Sequence, residues 1–226
     1  MKGFFVTGTD TEIGKTVVSA GLISALARRG LNVCGMKPVA SGGRETPEGL
    51  RNEDAEALIA AARFEGDYAT INPYCFAPPI APHIAAREAG VVIELEVLLE
   101  AARALVEHSD VIVVEGVGGW RVPLGTTFDV AGLARAFDLP VILVVGMRLG
   151  CLNHALLSVE AIRAAGCTLA GWIANEVDPA MDRRDENFAT LTDAVDAPCL
   201  GRIPHLDSPT PAAVAAHLKL DGASDD

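Results

Sequence analysis

Apolar positions along this chain fall into short continuous runs separated by longer stretches of helical spacing. Phe4-Phe5-Val6 is a strand-like run, followed by a Gly-containing loop and a helical pattern from Val17 to Arg29. Asn32 to Met36 predicts a second strand, ended by Lys37-Pro38 and Ser41-Gly42-Gly43, since Pro lacks the N–H that a ladder requires. Asn52 caps a helix predicted over Glu53 to Arg63, with Asp54 in its first turn. Pro73, Pro78, Pro79 and Pro82 break the stretch from Asp67 to Ala89 into an irregular excursion on the substrate side, and His83 within it reads as a structural hydrogen-bonder. Leu95, Leu98, Leu99, Ala102 and Leu105 share one side of a helix over Glu94 to Glu107. Asp110 to Glu115 is a β-branched run of the kind covered on both faces of a sheet. Strands over Pro140 to Val145 and Cys167 to Ala174 bracket a helix over Leu152 to Ala165, and Pro198 to Gly201 predicts a last short strand.

This βα alternation predicts an α/β fold: one domain over residues 1–220, with a mainly parallel sheet flanked by helices on both faces. The acidic tail, Asp221 to Asp226, reads as disordered.

The first loop, Gly8-Thr9-Asp10-Thr11-Glu12-Ile13-Gly14-Lys15-Thr16, stands between a strand and a helix, where backbone N–H groups can cradle a polyphosphate. Lys15 then falls on the β/γ phosphates and Thr16 on Mg²⁺, as in a P-loop. The strict G-x-x-x-x-G-K-[ST] pattern would put its first Gly at position 9, where Thr9 stands, so the loop is a variant. The competing reading is an ordinary Gly-rich βα turn with a capping threonine. Two acids bear on the choice. Asp54 either caps its helix or reaches a bound cation, and Glu115, at the carboxyl end of a strand, is either an exposed acid or a Mg²⁺ holder beside the loop.

Charge and cysteine content narrow the partners. A formal net charge of −12 argues against nucleic acid or an anionic membrane, so small anions must be drawn by a local positive site. The chain has only four lysines, and two of them, Lys15 and Lys37, sit in strand-end loops, where a compact ammonium suits phosphate. Five scattered cysteines without a C-x-x-C pair suit a reducing cytoplasm, and no run predicts a membrane span or signal peptide.

Taken together, Gly8 to Thr16, Lys37-Pro38-Val39-Ala40-Ser41-Gly42, Glu48-Gly49-Leu50-Arg51-Asn52, Asn72-Pro73-Tyr74, Val114 to Trp120 and Gly150-Cys151-Leu152-Asn153-His154 closely resemble the dethiobiotin synthetase family over residues 3–206. The resemblance implies a homodimeric cyclo-ligase with a P-loop NTPase fold. Its reaction would use ATP, Mg²⁺ and CO₂ to close the ureido ring of dethiobiotin from 7,8-diaminononanoate, through a carbamate and a carbamic-phosphoric anhydride. By the same resemblance Lys37, Lys15 and Thr11 serve catalysis. Thr11, Glu12, Lys37, Ser41 and Gly118 meet the diamine, as do Leu149, Gly150, Cys151, Leu152 and Asn153 from the partner subunit's side. Thr16, Asp54 and Glu115 hold Mg²⁺. The nucleotide site takes in Glu12, Ile13, Gly14, Lys15, Thr16, Val17, Asp54, Glu115, Gly116, Val117 and Gly118. On the base side the family's Asn-Asp pair reads Asn175-Glu176, its Pro-x-Leu is Pro204-His205-Leu206, and an acid is replaced near Pro211, which predicts looser nucleotide selectivity.

Two other P-loop classes compete. A switch ATPase of the partition or cell-division type would carry a signature lysine at Asp10 and a basic membrane or DNA surface, whereas this chain ends acidic. An amidotransferase-type synthetase would need a further glutaminase domain, for which no length remains.

Overall fold

Continuous apolar runs become the inner strands of a sheet that is covered on both faces. The computed structural model describes residues 1–62 and 66–220. In chain order its elements are β1 (Gly3–Gly8), α1 (Lys15–Ala27), β2 (Val33–Met36), β3 (Val39–Ser41), β4 (Arg44–Thr46), β5 (Gly49–Arg51), α2 (Glu53–Ala62), α3 (Tyr68–Ile71), β6 (Tyr74–Phe76) and α4 (Pro82–Glu88). There follow α5 (Leu95–Val106), β7 (Val111–Glu115), α6 (Val130–Phe137), β8 (Val141–Gly146), α7 (Cys151–Ala164), β9 (Leu169–Asn175), α8 (Arg184–Ala194), β10 (Cys199–Ile203) and α9 (Pro211–Ala215).

The main sheet is all-parallel in the order β10-β9-β8-β1-β7-β2. Because side chains alternate across a strand, each inner strand feeds two cores. Phe5, Val114, Leu143 and Trp172 join one core, shared with residues of α5, α6 and α7. Phe4, Val6, Val113 and Ile142 join the other, with Leu22 and Ile23 of α1, Leu58 of α2 and Val214 of α9. All parallel strands point their carboxyl ends to one edge, so the loops after β1, β2, β7, β8, β9 and β10 gather there.

The pattern-based strands and the four pattern-based helices, α1, α2, α5 and α7, are present, with ends displaced by a few residues. Helix α1 starts at Lys15, two residues before the apolar periodicity, because the phosphate-type loop runs directly into the helix. The residue Arg63 at the end of the second expected helix, and the tail 221–226, lie outside the described residues. The excursion over 67–89 holds more regular structure than expected: α3, α4 and β6, which pairs with β3 from outside it, each too short for periodicity to register. Helices α6, α8 and α9 have no counterpart in the pattern reading. Helix α8 buries only Leu191, so it carries no amphipathic stripe, and α9 is five residues behind a Pro.

Close packing at β2 generates a test. A Cβ on Gly35 would come 2.8 Å from Leu58 Cβ and 2.9 Å from Ile23 Cδ1, both on buried side chains. Gly35→Ala is expected to cost about 1–3 kcal/mol by overpacking. The check is urea unfolding, in which the midpoint should fall at constant slope; an unmoved midpoint would mean that α1 and α2 can slide apart freely.

Candidate active site

The loop between β1 and α1 is shaped by backbone conformations that few residues adopt. Glu12 and Gly14 have φ of 57° and 78°, and a Cβ at residue 14 would fall 2.2 Å from Asn175 Nδ2. Glycine is therefore required there for both conformation and space. Gly14 caps α1 without a side-chain hydrogen bond, leaving the first-turn N–H groups of the helix for an anion. Thr9 N donates to Val144 O at 3.0 Å, and Gly146 N donates to Thr9 Oγ1 at 3.4 Å, so the loop is pinned to β8. Asp10 Oδ1 accepts from Thr11 N at 2.8 Å while its Oδ2 pairs with Arg148.

Lys15 Nζ donates to Asp10 O at 2.8 Å and is buried. Burial, followed by the charge of Lys37, lowers its pKa to about 8 against the opposing pull of Glu115, Asp54 and Asp10.

Lys37 leaves the end of β2 and is 2% exposed. Its Nζ lies 2.6 Å from Glu115 Oε1, 2.7 Å from Asp54 Oδ2 and 3.3 Å from Gly116 O. Burial acts to lower its pKa, yet the Glu115 and Asp54 carboxylates outweigh it and hold the ammonium above the ordinary lysine value. Burial likewise raises Asp54, and the Lys37 charge and the Thr16 hydroxyl overcome it to leave the carboxyl below the usual range. Thr16 Oγ1 sits 2.8 Å from Asp54 Oδ1 and 2.9 Å from Glu115 Oε1, and its one proton serves one of them.

Glu115 is fully buried, and its Oε2 has no hydrogen-bond partner among the described residues. An orphaned buried carboxylate oxygen next to a second carboxylate and a threonine hydroxyl suits a hard cation. Among the described residues there is no cluster of three or more His, Cys, Asp or Glu side chains that could hold a metal. One hydroxyl and two carboxylates, from Thr16, Asp54 and Glu115, are the hard oxygen donors that would suit a Mg²⁺ taking its other ligands from phosphate and water.

Polar side chains absent from the candidate set hold this cluster in place. Asn72 Nδ2 donates to Lys37 O at 2.7 Å, Tyr68 Oη donates to Asn72 Oδ1 at 3.0 Å, and Asn52 N donates to Tyr68 Oη at 2.7 Å. Asn52 Oδ1 accepts from Asp54 N, setting the first turn of α2, and its Nδ2 reaches Ser41 O at 3.4 Å. Their sequence signal is weak, because each acts through a backbone group. Gly116 N donates to Val6 O, and Gly118, with φ of 61°, has the Thr11 hydroxyl 3.6 Å from its would-be Cβ, so the loop of Gly116, Val117 and Gly118 lies over the P-loop.

A cavity of about 210 Å³ adjoins the start of α1, lined by Glu12, Gly14, Val17, Asn175, Glu176, Pro204, His205 and Leu206 among others. Asn175 Nδ2 donates to Ile13 O at 2.9 Å. Glu176 lines the cavity, yet its Oε1 accepts from Arg202 Nε at 2.7 Å and its Oε2 pairs with Arg184. A larger space of about 500 Å³, between Cys34, Leu105 and Ser109, is lined by none of the candidate residues, so size does not mark the site.

The segment after β8 touches the loop through Arg148, which pairs with Asp10. Leu149 is 93% exposed and Asn153 is exposed, while Cys151 opens α7 behind Gly150, whose φ is 97°. Burial pushes the Cys151 thiol up, away from nucleophilic use. His83 keeps a buried Nδ1 without a hydrogen-bond partner among the described residues.

A family model described as an AAA domain matches residues 2–213. A Pseudomonas aeruginosa protein named ATP-dependent dethiobiotin synthetase BioD is 58% identical over 221 residues, covering 97% of each chain. A protein of the same name from Aromatoleum aromaticum is 54% identical, covering 98% of each. Among solved structures, the MinD cell division protein of Aquifex aeolicus superposes with a TM-score of 0.57 at 17% identity, covering 99% of this chain and 95% of that one, a likeness of fold alone.

The lowered Lys15 pKa sets a pH dependence. Below pH 8 the ammonium is present both in the free protein and when phosphates face it; above pH 8 the free protein has lost a proton that anion binding must restore. Affinity for ATP is thus full below that value and falls by up to about tenfold per pH unit above it. Calorimetric Kd values across about pH 7.5–9.5 test this, with Lys15→Arg expected to remove the slope. A flat wild-type profile would contradict the assigned environment.

Proposed function

The chain belongs to the ATP-dependent dethiobiotin synthetase family, an ATP-dependent enzyme family of biotin biosynthesis, and on that premise we propose how its residues divide the work of the reaction. The observation that carries the reading is the buried cluster in which Lys37 lies between Asp54 and Glu115 beside Lys15 and Thr16. Phosphoryl transfer asks a protein chiefly for positioning and for charge matched to the transferring oxygens.

One amine of 7,8-diaminononanoate takes up CO₂ as a carbamate. A carbamate oxygen attacks the γ-phosphorus of ATP, ADP leaves, and a carbamic-phosphoric anhydride forms. The second amine then attacks the carbonyl carbon, the C–O bond to phosphate breaks, and ring closure releases phosphate and a proton. Mg²⁺, when bound, supplies neutralising charge on the phosphate oxygens. Lys15 faces the β/γ phosphates, its ammonium resting here on a carbonyl oxygen and so still able to pair with an anion. Lys37 bridges the carbamate and γ-phosphoryl oxygens. Thr11, Ser41 and Gly118 line the diamine's path, and the N–H groups of Val117 and Gly118, beyond the Gly116 N–H that is held by Val6 O, add donors. With Nδ2 committed to Ile13 O, Asn175 offers its Oδ1 as an acceptor, which suits an exocyclic amine on the base.

The homodimer belongs to the same proposal. Leu149 and Leu157 expose apolar side chains along the segment 149–157, which supports a partner there, with Gly150 to Asn153 reaching the partner's diamine. A reducing cytoplasm is the proposed setting. No described helix is long and apolar enough to cross a membrane.

Phosphate release with Mg-ATP, measured with diaminononanoate and bicarbonate each present or omitted, tests the assignment. Release should require both, with a product heavier than the diamine by CO₂ less water; release indifferent to the diamine would instead fit a switch ATPase. Lys37→Gln is expected to slow phosphoryl transfer about 100- to 1000-fold while Mg-ATP still binds. Undiminished ring closure in that variant would remove Lys37 from the chemistry.

A further inference from the structure

Two loops wall the cavity beside α1. One is 175–177, at the end of β9; the other runs from Ile203 to Leu206, at the end of β10. Adjacent parallel strands would let these loops diverge, but Glu176 bolts them together. Its N–H donates to Ile203 O at 2.9 Å, and its carboxylate, 7% exposed, reaches across to Arg202 on β10. Arg184, at the start of α8, takes the other carboxylate oxygen and also donates to Pro179 O at 3.0 Å.

Arg202 is itself fixed on three sides. Its Nε goes to Glu176, its Nη2 lies 2.5 Å from Asp185 Oδ1, and its guanidinium carbon stands 4.7 Å from the centre of the Phe188 ring. Phe188 in turn packs against the fully buried Trp172, with ring centroids 5.6 Å apart. A planar guanidinium that stacks and bonds on two edges holds one orientation, which a lysine could not reproduce. The carboxylate that lines the cavity is neutralised from behind by two guanidinium groups, so it faces a nucleotide neither as a repelling charge nor as a free acceptor.

We propose that Arg202, assisted by Arg184, is a positioning residue for the nucleotide base: by holding Glu176 it sets the spacing of the two loops and so the discrimination between bases. The inference rests on the ATP reading above and adds to it residues that no base contact would reveal. It also changes the expectation drawn from position 176. The longer Glu in place of Asp here reaches a clamp, so base selectivity depends on the clamp's integrity instead of on an acid offered to the base.

The test compares calorimetric binding of Mg-ATP, Mg-GTP and inorganic tripolyphosphate, the last of which reports the phosphate loop alone. Arg202→Gln should raise the Kd for ATP about tenfold, the scale of a lost hydrogen bond to a charged group, and shrink the ATP-to-GTP ratio. Tripolyphosphate affinity and the KM for the diamine should stay as in the wild type. Because a stray buried carboxylate could unsettle that variant, Arg202→Met combined with Glu176→Leu removes the whole pair and should again lose base discrimination while keeping tripolyphosphate. Wild-type ATP affinity and ratio in either folded variant would overturn the proposal, as would equal losses for ATP and tripolyphosphate in both. A wild-type protein that binds ATP no better than tripolyphosphate would instead sink the base-pocket reading beneath it.

Discussion

A lysine buried at the carboxyl edge of a parallel sheet is tolerable only when carboxylates surround it, because an unpaired ion there carries a desolvation cost of several kcal/mol. Lys37 meets that condition through Asp54 and Glu115, and those two acids need Lys37 for the same reason. Much of the neighbourhood serves this mutual requirement. Asn52 sets the first turn of α2 and thereby Asp54, Asn72 holds the Lys37 carbonyl, and the β1/β7 and β2/β7 registers bring Glu115 under the loop.

The cluster's charge balance explains how an acidic protein receives a polyanion. Two ammonium groups face two carboxylates, so the cluster adds no net positive charge to a chain of formal charge −12. Receptivity comes from how the charges are partnered. Lys37 is held by carboxylates, whereas the Lys15 ammonium rests on a neutral carbonyl beside the uncapped N-terminus of α1. Under the proposed function, attraction is therefore short in range and local to the loop, with helix N–H groups and one lysine supplying it.

How far this could be read from the chain depended on the range of the interactions involved. The inner strands were legible because burial on both faces leaves an unbroken apolar run, as at Val111 to Val114, and α5 was legible from its leucine spacing. Helices α6 and α8 were not: the first buries Val130, Ala131, Leu133, Ala134 and Phe137 along one face but gives that stripe only two turns, and the second is mostly polar and buries only Leu191. At the site, Lys15 and Thr16 stand in a local motif that a sequence displays directly. The meeting of Lys37 with Asp54 and Glu115 is a tertiary fact, suggested by strand-end placement and by family resemblance. The Glu176–Arg202 clamp and the Asp10–Arg148 pair left no local trace, since their partners are 26 and 138 residues apart and neither arginine sits in a motif.

The same separations bear on synthesis. Thr16 meets Asp54 38 residues later and Glu115 99 residues later, and strand β1, which carries the loop, lies between β7 and β8 in the sheet. A growing chain that has delivered only its first hundred residues possesses the complete phosphate-loop sequence but neither the second acid nor either neighbour of β1. Its loop has nothing to rest on, and Lys37 has lost half of its counter-charge. Assembly of the complete cluster and of both neighbours of β1 therefore waits on residues past the middle of the protein.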